Sequence, residues 1–131
     1  MTSATLVNIL YVEDDRDIQT VAQIALEVVG GLSLKTCSSG TAALEAIKDG
    51  FLPDLLLLDV MMPVMDGPTT LAELRKLPVT QSTPVIFMTA KVQSTEMEYY
   101  QSLGAIGVIA KPFDPMDLSA QVQKIWQEKV S

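Results

Sequence analysis

Acidic, hydroxyl and basic side chains follow the apolar runs of this sequence, and together they could carry out phosphoryl chemistry. Glu13 and Asp14 follow LVNILYV, Asp59 ends a run of four leucines, Thr89 ends VIFMT, and Lys111 follows IGVIA. Carboxylates that lie close together raise one another's pKa, and a hard divalent cation relieves the repulsion. An all-oxygen site with few carboxylates suits Mg²⁺, and a carboxylate can itself accept a phosphoryl group. One metal ion and one lysine would supply positive charge to the transferring oxygens.

Five short apolar runs must position these side chains. The runs are LVNILYV (6–12), LSLKTC (32–37), LLLLDV (55–60), VIFMT (85–89) and IGVIA (106–110). Each is rich in Val, Ile or Leu, as buried parallel strands are. Strands that alternate with helices predict a parallel sheet covered on both faces. Ligands bind such sheets beyond the carboxyl ends of the strands, where the strand order reverses, so the reactive side chains would meet there.

Apolar stripes between the runs predict five helices, each with one face against the sheet. The stripes are Ile18, Val21, Ala22, Ala25 and Val28; Ala43, Leu44 and Ile47; Leu71, Leu74 and Leu77; Met97, Tyr100 and Leu103; and Leu118, Val122 and Ile125. We expect Asp15 or Asp17 to cap the first helix and Asp66 to cap the third. Asp114 or Pro115 should open the last helix, and Trp126 should pack at the edge of the core.

Composition restricts the class of protein. The 131 residues, of which 48% are hydrophobic, predict one domain over 1–131 with its core at about 6–128. A net charge of −7 without a Lys/Arg cluster argues against direct nucleic-acid binding. The single cysteine, Cys37, cannot form an internal disulfide, and the sequence has neither a secretory signal nor a run long enough to span a bilayer. We therefore expect a soluble cytoplasmic protein.

Four motifs in this order resemble the receiver domain of two-component response regulators. They are ILYVEDD (9–15), PDLLLLDVMMPVMDG (53–67), PVIFMTA (84–90) and GVIAKPF (107–113). The resemblance extends along essentially the whole chain. It implies an α/β fold: a doubly wound, flavodoxin-like, five-stranded parallel sheet of order 2-1-3-4-5 with five helices.

The resemblance also implies roles for the residues at the strand ends. Asp59 would accept a phosphoryl group from a sensor histidine kinase or a histidine phosphotransfer protein. Glu13 and Asp14 would hold Mg²⁺, with Asp59 and the main-chain carbonyl of Met61 as further ligands. The protein would thus be a phosphoacceptor switch rather than an enzyme, beyond catalysing its own phosphorylation and dephosphorylation.

Two further residues complete the implied switch. Thr89 would be the switch hydroxyl, and Lys111 would contact the phosphoryl oxygens, with a cis peptide between Lys111 and Pro112. Phosphorylation would alter the face formed by helix 4, strand 5 and helix 5, which would bind a downstream protein. The family usually has an aromatic residue three positions before the lysine, and here that residue is Val108. Because valine has no ring to swing, coupling to the surface must use another route.

Lys91, two residues after Thr89, motivates a separate hypothesis about the lifetime of the phosphoryl group. Its side chain could lean over the site and screen Asp59 from water. Truncation of Lys91 would then change the dephosphorylation rate.

Competing interpretations remain at this point. The chain could be a stand-alone regulator without an output domain, or a receiver excised from a hybrid histidine kinase or larger regulator. An aspartyl-phosphate phosphohydrolase would need an acid two residues after Asp59, where Met61 stands. A nucleotide or flavin binder would need glycines in the first strand-to-helix turn, which instead reads VEDDRD. A metal-free pseudo-receiver would lack some of the site residues, and this sequence has them all.

Overall fold

Five parallel strands form one sheet in the computed structural model, which describes residues 5–130. The strands are β1 Asn8–Val12, β2 Ser33–Cys37, β3 Leu55–Asp59, β4 Val85–Thr89 and β5 Ala105–Ala110. Their order across the sheet is β2-β1-β3-β4-β5, and every neighbouring pair is parallel. This arrangement confirms the predicted doubly wound sheet and its switch in strand order between β1 and β3.

Helices follow each strand and cover both faces of the sheet. They are α1 Arg16–Gln23, α2 Gly40–Lys48, α3 Gly67–Leu74, α4 Ser94–Ser102 and α5 Leu118–Lys129. A π-helical segment, Ile24–Val29, continues α1, and a short 3-10 turn, Pro78–Thr80, precedes β4. No helix within residues 5–130 has the length and apolar character needed to cross a membrane.

The four leucines of β3 lie at the centre of the molecule. Leu55, Leu56, Leu57 and Leu58 are all fully buried. Because side chains alternate along a strand, Leu55 and Leu57 pack on the side of α1 and α5, and the other two pack on the opposite side. Because β3 is buried on both faces, it is held rigidly, and Asp59 lies at its carboxyl end.

The apolar stripe of the first helix differs from the predicted one. Ala22, Ala25 and Leu26 are buried, whereas Val21 is 40% exposed and Val28 is 77% exposed. The prediction for Val21 and Val28 was therefore wrong. Val21 lies in regular α1, where the neighbouring Ala22 is the buried residue. From Ile24 to Val29 the helix is π-helical and bonds amides five residues back, as Gly30 N does to Ala25 O at 3.2 Å, so the 3.6-residue repeat does not extend to Val28. Leu26 is buried there instead.

Helix starts confirm most of the predicted caps. The Asp15 side chain accepts hydrogen bonds from the amides of Asp17 and Ile18, and the Asp66 side chain accepts one from Thr69. The last helix was predicted to open at Asp114 or Pro115, and this was wrong, because regular α5 begins at Leu118. The Asp114 carboxylate instead accepts from the Met116 amide, so it caps the turn that leads into the helix.

Gly67 allows α3 to begin in close contact with the end of β3. A Cβ atom at this position would lie 2.5 Å from the Asp59 carbonyl oxygen, so only glycine fits there. Trp126 is 4% exposed and packs in the core on the α1 and α5 side, as predicted.

Candidate functional site

The carboxyl ends of four neighbouring strands bring Glu13, Asp59, Thr89 and Lys111 together. Asp59 and Thr89 are the last residues of β3 and β4, and Glu13 and Lys111 directly follow β1 and β5. Backbone hydrogen bonds hold the two flanking residues in place. The Glu13 amide donates to the Cys37 carbonyl at 3.0 Å, and the Lys111 amide donates to the Thr89 carbonyl at 2.9 Å.

Lys111 bridges two buried carboxylates. Its Nζ atom lies 2.8 Å from Glu13 Oε1 and 3.0 Å from Asp59 Oδ1. The side chains of Glu13 and Asp59 are 1% and 3% exposed, and that of Lys111 is 18% exposed. The peptide bond between Lys111 and Pro112 is cis, as the resemblance implied. One ammonium group thus compensates two carboxylates at the mouth of the site.

Electrostatics in this cluster favour a charged lysine. The pKa of Glu13 is raised to about 7, mainly because the side chain is buried. The hydrogen bond from Lys111 lowers this pKa, and the negative charge of Asp59 raises it further. Burial alone would lower the pKa of Lys111, but its hydrogen bonds to Glu13 and Asp59 outweigh that effect and raise it. Lys111 therefore stays protonated, and positive charge is fixed beside Asp59.

Three carboxylates form a cluster that could hold a cation. Oxygen atoms of Glu13, Asp14 and Asp59 all lie within 4.8 Å of one another. Asp14 is exposed to solvent, while the other two are buried, so the cluster is open on one side. Within residues 5–130, the carbonyl oxygen of Met61 accepts no hydrogen bond. An all-oxygen donor set of this kind fits Mg²⁺.

Thr89 lies on the other flank of Asp59 and is 2% exposed. Its Oγ1 atom accepts a hydrogen bond of 3.1 Å from the backbone amide of Lys91. Because an amide donates and the hydroxyl oxygen accepts, the hydroxyl proton of Thr89 is left to donate elsewhere. The side chain of Lys91 itself is exposed.

Sequence reasoning missed Gln19. Its side-chain amide donates to the carbonyl oxygen of Glu13 and to Ser38 Oγ, the latter at 3.1 Å. Gln19 thereby ties α1 to the turn that carries Glu13 and Asp14. In the sequence, Gln19 is recognisable only as a long amide side chain in the first turn of a helix that follows a strand. That pattern is too common to identify a site residue.

The sequence and the fold of this chain are similar to those of known proteins. The family model of the response regulator receiver domain matches residues 9–123. The chain belongs to this family. Receiver domains of two-component response regulators are signalling switches rather than conventional enzymes, they bind Mg²⁺ at an acidic pocket, and they interact with histidine kinases or phosphotransfer proteins. The acidic cluster of Glu13, Asp14 and Asp59 matches such a pocket.

Relatives in sequence include longer regulators. The transcriptional regulatory protein CpxR of Escherichia coli (strain K12) is 36% identical over 126 residues, which cover 92% of this chain and 52% of CpxR. The response regulator SaeR of Staphylococcus aureus (strain NCTC 8325 / PS 47) is 29% identical over 120 residues, covering 92% of this chain and 50% of SaeR. This receiver domain thus spans about half the length of these two relatives.

Solved structures share its fold over nearly their whole chains. The chemotaxis protein CheY4 of Vibrio cholerae superposes with a TM-score of 0.81 at 27% identity, covering 92% of this chain and 99% of CheY4. The N-terminal domain of a response regulator receiver protein from Methanoculleus marisnigri JR1 has a TM-score of 0.72 at 36% identity, covering 92% and 96% of the two chains. These similarities confirm the flavodoxin-like fold that the motifs implied.

Proposed function

We propose that this receiver domain is a phosphoacceptor switch in which Asp59 receives a phosphoryl group from a histidine kinase or a histidine phosphotransfer protein. The observation that carries the proposal is the position of Lys111, whose ammonium group lies 3.0 Å from the Asp59 carboxylate inside a cluster of acids. Positive charge held beside a buried carboxylate is the arrangement that phosphoryl transfer to that carboxylate requires.

The transfer uses the second carboxylate oxygen of Asp59. Oδ1 accepts a hydrogen bond from Lys111, so Oδ2 is the proposed nucleophile. Oδ2 attacks phosphorus as the bond from phosphorus to the histidine nitrogen breaks, and that nitrogen keeps the electron pair. Lys111 then contacts the phosphoryl oxygens, and the Thr89 hydroxyl donates its free proton to one of them.

Mg²⁺ is the proposed cofactor. Glu13, Asp14, Asp59 and the carbonyl oxygen of Met61 would hold it, since three carboxylates within 4.8 Å of one another provide an all-oxygen donor set. When bound, Mg²⁺ supplies positive charge to the phosphoryl oxygens and relieves repulsion among the carboxylates.

The surface beside the site fits a helical partner that delivers the phosphoryl group. A cavity of about 460 Å³ adjoins Lys111, and its apolar lining includes Ile18, Val21 and Phe113. Exposed apolar side chains continue this surface along the first helix, where Ile24 is 53% exposed. An apolar stripe along a helix is the kind of surface on which a partner helix packs.

The face of α4, β5 and α5 is the proposed binding surface for a downstream protein target. We propose no direct contact with nucleic acid.

The wider setting of the domain is also a proposal. We propose one domain over 1–131 that acts in the cytoplasm, with a stand-alone regulator of the length of CheY4 as the first candidate. The coverage of 52% of CpxR favours the second candidate, a receiver within a larger regulator. The mass of the native protein, isolated from cells with an antibody against this domain, distinguishes the two.

Acetyl phosphate tests the central proposal. Incubation with Mg²⁺ and acetyl phosphate should add one phosphate to the intact mass, and the adduct should be labile to base. Asp59→Asn should abolish the adduct, whereas the matched variant Asp49→Asn, at an exposed position at the end of α2, should retain it. An adduct that survives in Asp59→Asn, or one that forms equally well with EDTA in place of Mg²⁺, would overturn the proposal.

A further inference from the structure

Three aromatic rings form a continuous path from the sheet to the surface of α4. The ring centroids of Phe87 and Tyr100 lie 5.3 Å apart, and those of Tyr100 and Tyr99 lie 5.5 Å apart. Phe87 is fully buried, Tyr100 is 4% exposed and Tyr99 is 50% exposed. Both ring distances fall within the range of favourable aromatic contact. We call these three residues the aromatic ladder.

The inner end of the aromatic ladder lies directly beneath the switch hydroxyl. Phe87 and Thr89 are two residues apart on β4, so their side chains project from the same face of the sheet. Across the strands, Phe87 pairs in register with Val108 of β5, which is only partly buried and packs against the same half of the core. The neighbour of Phe87 on β5 is thus a small side chain, and the ring contact of Phe87 is with α4.

Tyr100, the middle ring of the aromatic ladder, anchors α4 in the core. Of the nine residues of α4, all of which the structure describes, only Tyr100 is buried. A helix held by one buried side chain can shift as that side chain shifts, because few other contacts oppose the movement. The loop adds a second link, since Lys91 N donates to Thr89 Oγ1 and Met97 N donates to the carbonyl oxygen of Gln93 at the start of the helix.

We propose that the aromatic ladder transmits the state of Thr89 to the outer surface of α4, with Tyr100 as the positioning residue and Tyr99 as the side chain whose exposure changes. This inference rests on the proposed phosphorylation of Asp59. When Thr89 moves toward a phosphoryl group, the end of β4 moves with it, Phe87 presses differently on Tyr100, and α4 carries Tyr99 to a new position. A ring therefore reports the state of the site from α4, although β5 carries Val108.

Fluorine NMR of 3-fluorotyrosine-labelled protein tests the inference. The chain has three tyrosines, so Tyr→Phe variants at single positions assign every resonance. On phosphorylation by acetyl phosphate with Mg²⁺, the resonances of Tyr99 and Tyr100 should both shift. In Tyr100→Leu, the Tyr99 shift should be lost while the phosphate adduct in the intact mass stays unchanged. Tyr100→Phe keeps the ring and should keep the Tyr99 shift.

Two further variants test whether the effect runs from Tyr100 to Tyr99 and whether it is specific to the aromatic ladder. Tyr99→Leu removes the exposed end only, so the Tyr100 shift should persist. Leu103→Ala removes a partly buried contact at the end of α4 that is not in the aromatic ladder, and the Tyr99 shift should persist there as well. Should Tyr100→Leu fail to fold, Phe87→Leu breaks the same path one step earlier.

Two results would overturn the inference: a Tyr99 resonance that does not move in the phosphorylated protein, or a Tyr99 shift that survives loss of the Tyr100 ring. Absence of the phosphate adduct from the intact mass would instead contradict the phosphorylation of Asp59.

Discussion

The ammonium group of Lys111 lies 3.0 Å from the carboxylate of Asp59, although 52 positions separate the two residues in the chain. The same nitrogen lies 2.8 Å from Glu13, whose side chain is 1% exposed. Two buried carboxylates therefore depend on one cation. Because of this dependence, we expect the stability of the fold to change when a cation binds at the site.

Replacement of Lys111 by methionine should destabilise the protein when no metal is present. Removing one partner of a buried ion pair leaves an uncompensated charge and costs about 3 kcal/mol. Urea denaturation in EDTA at pH 8 measures the loss, and Mg²⁺ should restore part of it by taking over the compensation of Glu13 and Asp59. The control is Lys76→Met, which breaks an exposed 2.8 Å bridge to Glu73 and should cost less than about 1 kcal/mol. Equal losses in the two variants would contradict the structural role of Lys111.

An aspartate in place of Ile24 should slow phosphoryl transfer from a histidine kinase or phosphotransfer protein. The exposed side chain of Ile24 continues the apolar surface beside the cavity, and loss of its burial by a partner costs about 1.5 kcal/mol, or roughly tenfold in affinity. Radiolabel transfer from a donor that phosphorylates the wild-type chain measures the effect. Labelling by acetyl phosphate should stay unchanged.

Val79→Asp is the matched control for Ile24→Asp. Val79 is 47% exposed but lies in the turn before β4, away from the first helix. Transfer to this variant should match the wild-type rate. If both aspartate variants slow transfer equally, the effect is one of charge and not of the first-helix surface.

Truncation of Lys91 to alanine should shorten the lifetime of the phosphoryl group. Lys91 lines a cavity of about 440 Å³ with Val92, Gln93 and Glu96, and its backbone amide holds Thr89. Loss of the side chain leaves that hydrogen bond intact. If the side chain screens Asp59 from water, as hypothesised, hydrolysis should accelerate severalfold. Decay of the phosphorylated mass over time measures the rate. Lys91→Arg keeps a long cationic side chain and should decay at the wild-type rate; an unaltered rate in Lys91→Ala would dispose of the screening hypothesis.

The cap of α3 should contribute to stability. The Asp66 carboxylate accepts a hydrogen bond of 2.8 Å from the Thr69 amide, and its loss in Asp66→Ala should cost about 1 kcal/mol. Asp66→Asn retains an acceptor oxygen, so its free energy of unfolding should fall by only about a few tenths of a kcal/mol. Thermal denaturation followed by circular dichroism compares the two variants. A penalty as large for asparagine as for alanine would show that the negative charge, rather than the hydrogen bond, stabilises the helix start.

Local patterns in the sequence predicted most of the fold and the residues of the candidate site. The run of four leucines before Asp59 predicts a strand buried on both faces, and the structure confirms that burial. The caps at Asp15 and Asp66 were predictable because a cap depends on a few neighbouring backbone amides. Convergence of Asp59, Thr89 and Lys111 followed from the rule that parallel strands end at one edge of the sheet.

Other features depended on the tertiary structure. Val28 is exposed in a π-helical segment, whose geometry a regular 3.6-residue repeat does not predict. The start of α5 at Leu118, the hydrogen bonds of Gln19, and the contact of Tyr100 with Phe87 were equally out of reach. The Gln19 and Tyr100 contacts each join residues from different elements.

The sequence by itself determined the succession of strands and helices along the chain, because apolar periodicity extends over a few neighbouring positions. It also showed which reactive residues follow the strands. Only the tertiary structure decided which charged atoms meet. Glu13 and Lys111 are 98 positions apart, and their 2.8 Å contact exists because the β2-β1-β3-β4-β5 order directs both side chains into one pocket where burial makes each require the other.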